Sequence, residues 1–433
     1  MQKLIKPSSK QRGIALIIFA LILVVAATIF FVSQLDGNDI KIERDKKTAA
    51  AMAEAKSALI GYAAGISLLV AGPRPGDLPC PDNHPLGALE GTPSTPCNAN
   101  ALGRLPWKTL GIADLRDGSG ERLWYAVSSN FKNSTRTTCS LPGQVGCLNS
   151  DTKGTITVRD SSGTVINDGS GTSGAVALII APNSPLQRQD GLVQNRSTAN
   201  YNIASHYLDN TAVEDNGNFV DGGLNGFING EVKNASQQVI VNDKMIVISK
   251  QDLMPLLEKR VANEVLKCLD VYASAPVAAP PPIPPVGTYP WPATLNPLAA
   301  PSYIGVPNSL FGRVPNMPMG GNWSGACAIP VSGVTGWWLN WKEMVFFAIA
   351  DGYKPTIATP GCGTCLKVSP PSGLADKRVA VLVAGQKLAG KVRTTNANKG
   401  TLTNYLETPN DAGGILFTQQ SSTPIFNDVV VYR

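Results

Sequence analysis

The sequence predicts an α+β protein built twice over. A long N-terminal helix with a transmembrane start is laid on an antiparallel sheet, and a second, similar helix-plus-sheet module follows. Three observations carry that expectation: an apolar helical run near the start, short β-branched runs along the rest, and six blocks of residues that occur twice in one order.

From Ile14 to Val32 there are nineteen residues, of which only Thr28 is polar. Roughly twenty apolar residues rising 1.5 Å each cross a bilayer core of about 30 Å, so residues 14–32 are expected to span a membrane. A discarded secretory signal has an apolar core of about 7–15 residues and a small-x-small cut site. Here the run continues into "DIKIERDKKTAAAMAEAKSALIGYAA", where Ala51, Ala55, Ala58, Leu59 and Tyr62 form a helical stripe, so the segment is read as retained. Ala15, Ala20, Ala26 and Ala27 would let like helices approach closely. Basic residues flank both ends, Lys3 to Arg12 and Lys41 to Lys47, so charge alone orients the span weakly.

Composition narrows the class. The chain has 433 residues, which favours two or three domains, and only 16% are charged, with 42 glycines and 33 prolines. That balance fits a turn-rich extracytoplasmic protein better than a cytosolic helical enzyme. A formal charge of +6, partly held in the basic start, gives no stripe for nucleic acid. The only histidines are His84 and His206, which argues against histidine-based metal or acid–base chemistry.

The duplication sets the boundaries. "EAKSALIGYAAG", "GRLPW", "WYAV", "VALIIAP", "HYLD" and "NDKMIVIS" are answered in order by "EVLKCLDVYASA", "GRVP", "FFAI", "VAVLVAG", "NYLE" and "NDVVVYR". One module is expected over 33–248 and another over 249–433, with a stiff Pro-rich loop at 274–285. Predicted strands are "RLWYAVS", "GTITVRD", "AVALIIA" and "KMIVIS", then "MVFFAIA", "LKVSP", "VAVLVAG" and "VVVYR". The second helix is expected near Lys250 to Ala273, capped by Ser249 with Asp252, and Leu253, Leu257, Val261, Val265, Cys268 and Leu269 on one face.

Eight cysteines are the main chemical signal. Four local bridges are the simplest pairing: Cys80 with Cys97, Cys139 with Cys147, Cys268 with Cys327 and Cys362 with Cys365. "CGTC" also occurs as a redox or zinc motif. It runs into "LKVSP" rather than opening a helix that would lower a thiol pKa, and it has no second ligand pair. Asp209, Glu214, Asp215 and Asp221 lie in one polar loop, read either as a solvated acidic loop or as oxygen ligands for calcium. Trp323, Trp337, Trp338 and Trp341 are read as a sugar- or partner-binding surface or as core filling. Arg104 and Arg313 are expected to fix turns through backbone carbonyls. No Ser–His–Asp order, nucleotide loop or hydrolytic carboxylate pair is evident, so no enzymatic activity, and no confident metal site, is expected.

The opening "KQRGIALIIFALILVV" resembles the N-terminus of type IV prepilins and of type II secretion minor pseudopilins. The likeness extends through the helix to the "LPCP…LPW…WYAV" region, and reaches the second half only through the duplication. It implies a leader over residues 1–13, a cut after Gly13 by prepilin peptidase, and a methylated Ile14 at the mature N-terminus. Family members usually carry a glutamate five residues into the mature chain, where it pairs with a neighbour's terminal amine. An unpaired charge in hydrocarbon costs several kcal/mol, and Ile18 stands there instead. Minor pseudopilins at filament tips also lack that glutamate, so the resemblance implies a tip or initiating subunit. Some pseudopilins hold calcium in a comparable late loop. The implied partners are prepilin peptidase, other pilins or pseudopilins through the N-terminal helix, and the lipid bilayer. The implied location is the inner membrane, single-pass, with the bulk of the chain periplasmic. The expected function is a minor pilin or pseudopilin at the assembly or tip of a type IV pilus or type II secretion pseudopilus. The alternatives are a single-pass periplasmic binding or adhesion protein outside any filament, and a periplasmic thiol oxidoreductase using Cys362 and Cys365.

Overall fold

The computed structural model describes residues 11–66, 74–95, 102–132, 139, 146–219, 226–274, 284–295, 303–316, 323, 327, 329, 337–370 and 373–433. Within the first helix, the side chains of residues 11–16 and 29–38 lie outside the description.

The first helix, Gln11–Gly65, is 55 residues long. Its later turns dock because small and apolar side chains recur on one face: Thr48, Ala51, Met52, Ala55, Leu59 and Ala63 are buried. The second helix, Lys250–Ser274, opens with a reciprocal cap. The Asp252 carboxylate accepts from the Ser249 N–H at 2.8 Å and from its hydroxyl at 2.7 Å, while Ser249 Oγ accepts from the Asp252 N–H at 3.3 Å. Its apolar stripe, Leu253 through Leu269, is buried.

Two four-stranded antiparallel sheets share one strand order. The first comprises β1 (Leu102–Arg104), β2 (Trp124–Val127), β3 (Ala177–Ala181) and β4 (Lys244–Ile248). The second comprises β5 (Phe311–Arg313), β6 (Val345–Ile349), β7 (Val379–Val383) and β8 (Val429–Tyr432). Registers correspond residue by residue: Arg104 faces Trp124 as Arg313 faces Phe346, and Trp124 faces Ile180 as Phe346 faces Leu382. Each half also carries a three-stranded sheet in which a hairpin is extended by one parallel strand. A separate two-stranded ribbon, Val232–Lys233 with Val239–Val241, lies in the first half.

The expected fold class needs two corrections. First, among the described residues no helix is long and apolar enough to cross a membrane. The transmembrane helix over 14–32, and the single-pass inner-membrane placement that rests on it, are therefore not supported. Second, the helix-plus-sheet units are not separate modules. One apolar cluster takes in Ala55 and Leu59 of the first helix, Leu257 and Val261 of the second, Tyr125 and Ile179 of one sheet, and Phe347 and Val381 of the other. Polar ties cross the same seam. Arg260 donates to the carbonyls of Ala64 and Ile66 at the end of the first helix, and Lys56 Nζ donates to the Val247 carbonyl at 2.9 Å.

The two faces of the first sheet are dressed differently. Tyr125, Val127, Ile179 and Ala181 face the shared core, whereas Trp124, Ala126, Leu178 and Ile180 pack with Tyr207, Phe227 and Met245 on the opposite face. Alternate residues thus feed two layers, which explains why these strands read as unbroken apolar runs.

Candidate functional site

The first helix meets the body at Arg44 and Asp45. Asp45 pairs with Lys244 at 2.6 Å, and the Gly118 N–H donates to Thr48 Oγ1 at 2.9 Å. Upstream of this contact the helix carries apolar side chains with nothing over them. Ile17, Ile18, Phe19, Leu21, Ile22, Leu23, Val24 and Val25 are 47% to 66% exposed. A helix that is apolar on all sides is normally buried in something, and a contiguous exposed patch of this kind marks a contact surface. Each such side chain contributes about 1.5–3 kcal/mol when fully removed from water. Ile18 belongs to this surface at 54% exposure. Gly13 and Ile14 lie in the same helix, with their side chains outside the description.

The body is cross-linked. Disulfides join Cys139 to Cys147, Cys268 to Cys327 and Cys362 to Cys365. Cys80 is disulfide-bonded as well, and Cys97 falls outside the described residues. Among the described residues no cysteine is free. The Cys268–Cys327 bridge ties the second helix to the segment carrying Trp323.

The acidic loop does not gather. Asp209 is fully buried and accepts from Gln194 Nε2 at 2.9 Å and the Asn242 N–H at 2.7 Å. Glu214 pairs with Arg159 at 2.6 Å, Asp215 pairs with Arg188 at 2.8 Å, and Asp221 lies outside the described residues. Among the described residues, no three His, Cys, Asp or Glu side chains stand together as a metal would need. The tryptophans are interior: Trp323, Trp337, Trp338 and Trp341 are all buried, which supports core filling over a sugar-binding surface. Arg313 donates to the carbonyls of Glu343 and Lys399, and Arg104 to that of His84, so both act on backbone oxygens.

Two buried carboxylate pairs were not singled out from the sequence. The Asp209 N–H donates to Asp243 Oδ2 at 2.8 Å, and Asn216 donates to the same oxygen at 2.8 Å. In the second half the Glu407 N–H and Asn410 donate to Asp428 Oδ2 at 2.8 and 3.0 Å. Asn216 also bridges the Ile228 backbone, and Asn410 the Thr418 backbone, so each knot pins its small sheet to the strand that ends the repeat. Burial raises the Asp209 pKa to about 6, and burial plus the Asp209 charge raises that of Asp243 well above the usual carboxylate range. The signal was present in "HYLD…ND" and "NYLE…ND", but a repeat does not reveal which of its residues meet.

Comparisons with family models, with curated proteins and with solved structures find no match for this chain.

Proposed function

We propose that the chain is a non-enzymatic subunit of a pilin-type filament, a type IV pilus or type II secretion pseudopilus, acting in its assembly or at its tip. The observation that carries this reading is the exposed apolar run Ile17 to Val25, set on a helix that leaves the folded body. Such a run has a use when like helices pack around it, with van der Waals contact and small residues governing their approach. The disulfide-bonded body fits an oxidising, extracytoplasmic compartment. The partners on this reading are prepilin peptidase, acting after Gly13, and other pilin-type subunits. Ile18, where a glutamate is usual, fits a position with no neighbouring terminal amine to neutralise.

The test is to place a charge on that run. Ile18→Asp and Leu21→Asp should abolish co-purification with other pilin-type subunits and leave the thermal unfolding of the body unchanged, since neither side chain touches it. Undiminished co-purification of both variants would count against the proposal.

A further inference from the structure

The repeats diverge beside β2 and β6, and a cavity lies there in the first half. In the second half, Glu343 lies three residues before Phe346, the β6 residue opposite Arg313. Its buried carboxylate accepts the Tyr405 hydroxyl hydrogen and lies 3.2 Å from Lys399 Nζ. The Arg313 guanidinium stands 4.7 Å from the Phe346 ring centroid and 4.9 Å from that of Tyr405. Carboxylate, phenol and cations meet in one buried cluster.

The strand registers and the "HYLD" and "NYLE" blocks carry each position into the first half. Arg104 stands for Arg313, Trp124 for Phe346, Glu121 for Glu343 and Tyr207 for Tyr405. The ring pairs agree: Trp124 and Tyr207 are 5.3 Å apart, Phe346 and Tyr405 5.5 Å. The carboxylate, however, has left. Glu121 turns to Arg196 at 3.3 Å. Tyr207 is 7% exposed, yet its hydroxyl has no hydrogen-bond partner among the described residues. Met344, beside Glu343, is replaced by Arg122. What remains is a cavity of about 270 Å³ whose wall includes Tyr207, Arg104, Arg116, Arg122 and Arg196, with Glu121 as its acidic member.

The other nearby carboxylates, Asp82, Glu90 and Asp114, are engaged with Arg104 and Arg122. Even so, Nε and Nη1 of Arg104 and Nε of Arg196 are buried without a hydrogen-bond partner. These three buried guanidinium nitrogens short of acceptors favour an anion, and a carboxylate suits a guanidinium's planar fork. Burial keeps the Tyr207 phenol protonated above its ordinary range, so it remains a donor at neutral pH.

We propose that this cavity binds a small carboxylate. Its oxygens would accept from the Tyr207 hydroxyl and face Arg122 and Arg196, as the Glu343 carboxylate accepts from Tyr405 in the second half. At roughly 30 Å³ per water, the volume suits a molecule the size of a sugar acid or an amino acid.

The probes are sodium acetate and D-galacturonate, titrated calorimetrically into the full disulfide-bonded chain at constant ionic strength, with D-galactose and inorganic phosphate for comparison. Saturable binding of a carboxylate, tighter than phosphate and absent for galactose, is expected. Tyr207→Phe, which keeps the ring, should weaken it at least tenfold without moving the unfolding midpoint; Arg122→Met, which installs the second-half residue but also releases Glu90 and Asp114, should weaken it at least tenfold as well. A readout on the unmodified chain guards against a variant that does not fold: galacturonate should shield Arg122 and Arg196 from phenylglyoxal, as mapped by mass spectrometry. The proposal is overturned if neither carboxylate binds or shields, if both variants bind normally, or if phosphate binds as tightly.

Discussion

Asp243 has no accessible surface, and its neighbour Asp209 is also buried, so the fold holds two carboxyl groups where one negative charge is already costly. Because the fold raises these pKa values, the protonated pair belongs to the folded state. Its contribution is whole below pH about 4 and is lost as pH rises through about 6, where Asp209 titrates. Asp243→Asn removes the buried group whose ionisation burial and the Asp209 charge oppose. Urea unfolding should therefore show the variant gaining about 1–3 kcal/mol over the native chain at pH 8 relative to pH 5. Parallel stabilities at the two pH values would refute the raised carboxyl pKa values. Little of this was legible in the sequence. The residues were visible as repeated blocks, but their meeting depends on a loop returning across a strand end. The same holds for Tyr207 and Glu121, whose importance emerges only when the two halves are laid over one another.

At the scale of elements, docking of the first helix depends on a glycine. A Cβ on Gly118 would overlap the Arg44 backbone, and the Gly118 N–H holds Thr48 Oγ1. Gly118→Ala should cost about 1–3 kcal/mol, in the range for overpacking. Amide hydrogen exchange should quicken over residues 44–55 while the second helix stays protected; unchanged protection at 44–55 would contradict this. The glycine of the repeated Gly-Arg pair has a similar cause, since a Cβ on Gly103 would lie 2.8 Å from the Asp82 carbonyl oxygen. The sequence showed that pair twice without showing that it ends a strand, because glycine and the following proline read as a turn. Runs rich in β-branched residues were easier: "AVALIIA" became Ala177–Ala181 and "VAVLVAG" became Val379–Val383. The second helix was read within a residue of its bounds, since its cap and its apolar period are both local signals.

For the whole molecule, the lesson of the sequence was incomplete. Periodicity identified elements and duplication paired them, but neither discloses whether two halves share a core. They do: the second helix packs on the first helix as well as on its own sheet, and Arg260 closes the end of the first helix. Scanning calorimetry of the disulfide-bonded chain should accordingly give one cooperative transition, whereas two well-separated transitions would mean independent modules. The apolar run upstream of Arg44 is a feature that this shared core leaves uncovered, and the proposal of a filament subunit turns on it. The most direct measurement is the mass of the N-terminal peptide of the chain isolated from cells that contain a prepilin peptidase. The account predicts a mature chain beginning at a methylated Ile14, with trimming lost in Gly13→Trp. A chain that still begins at Met1, or trimming that Gly13→Trp does not disturb, would contradict it.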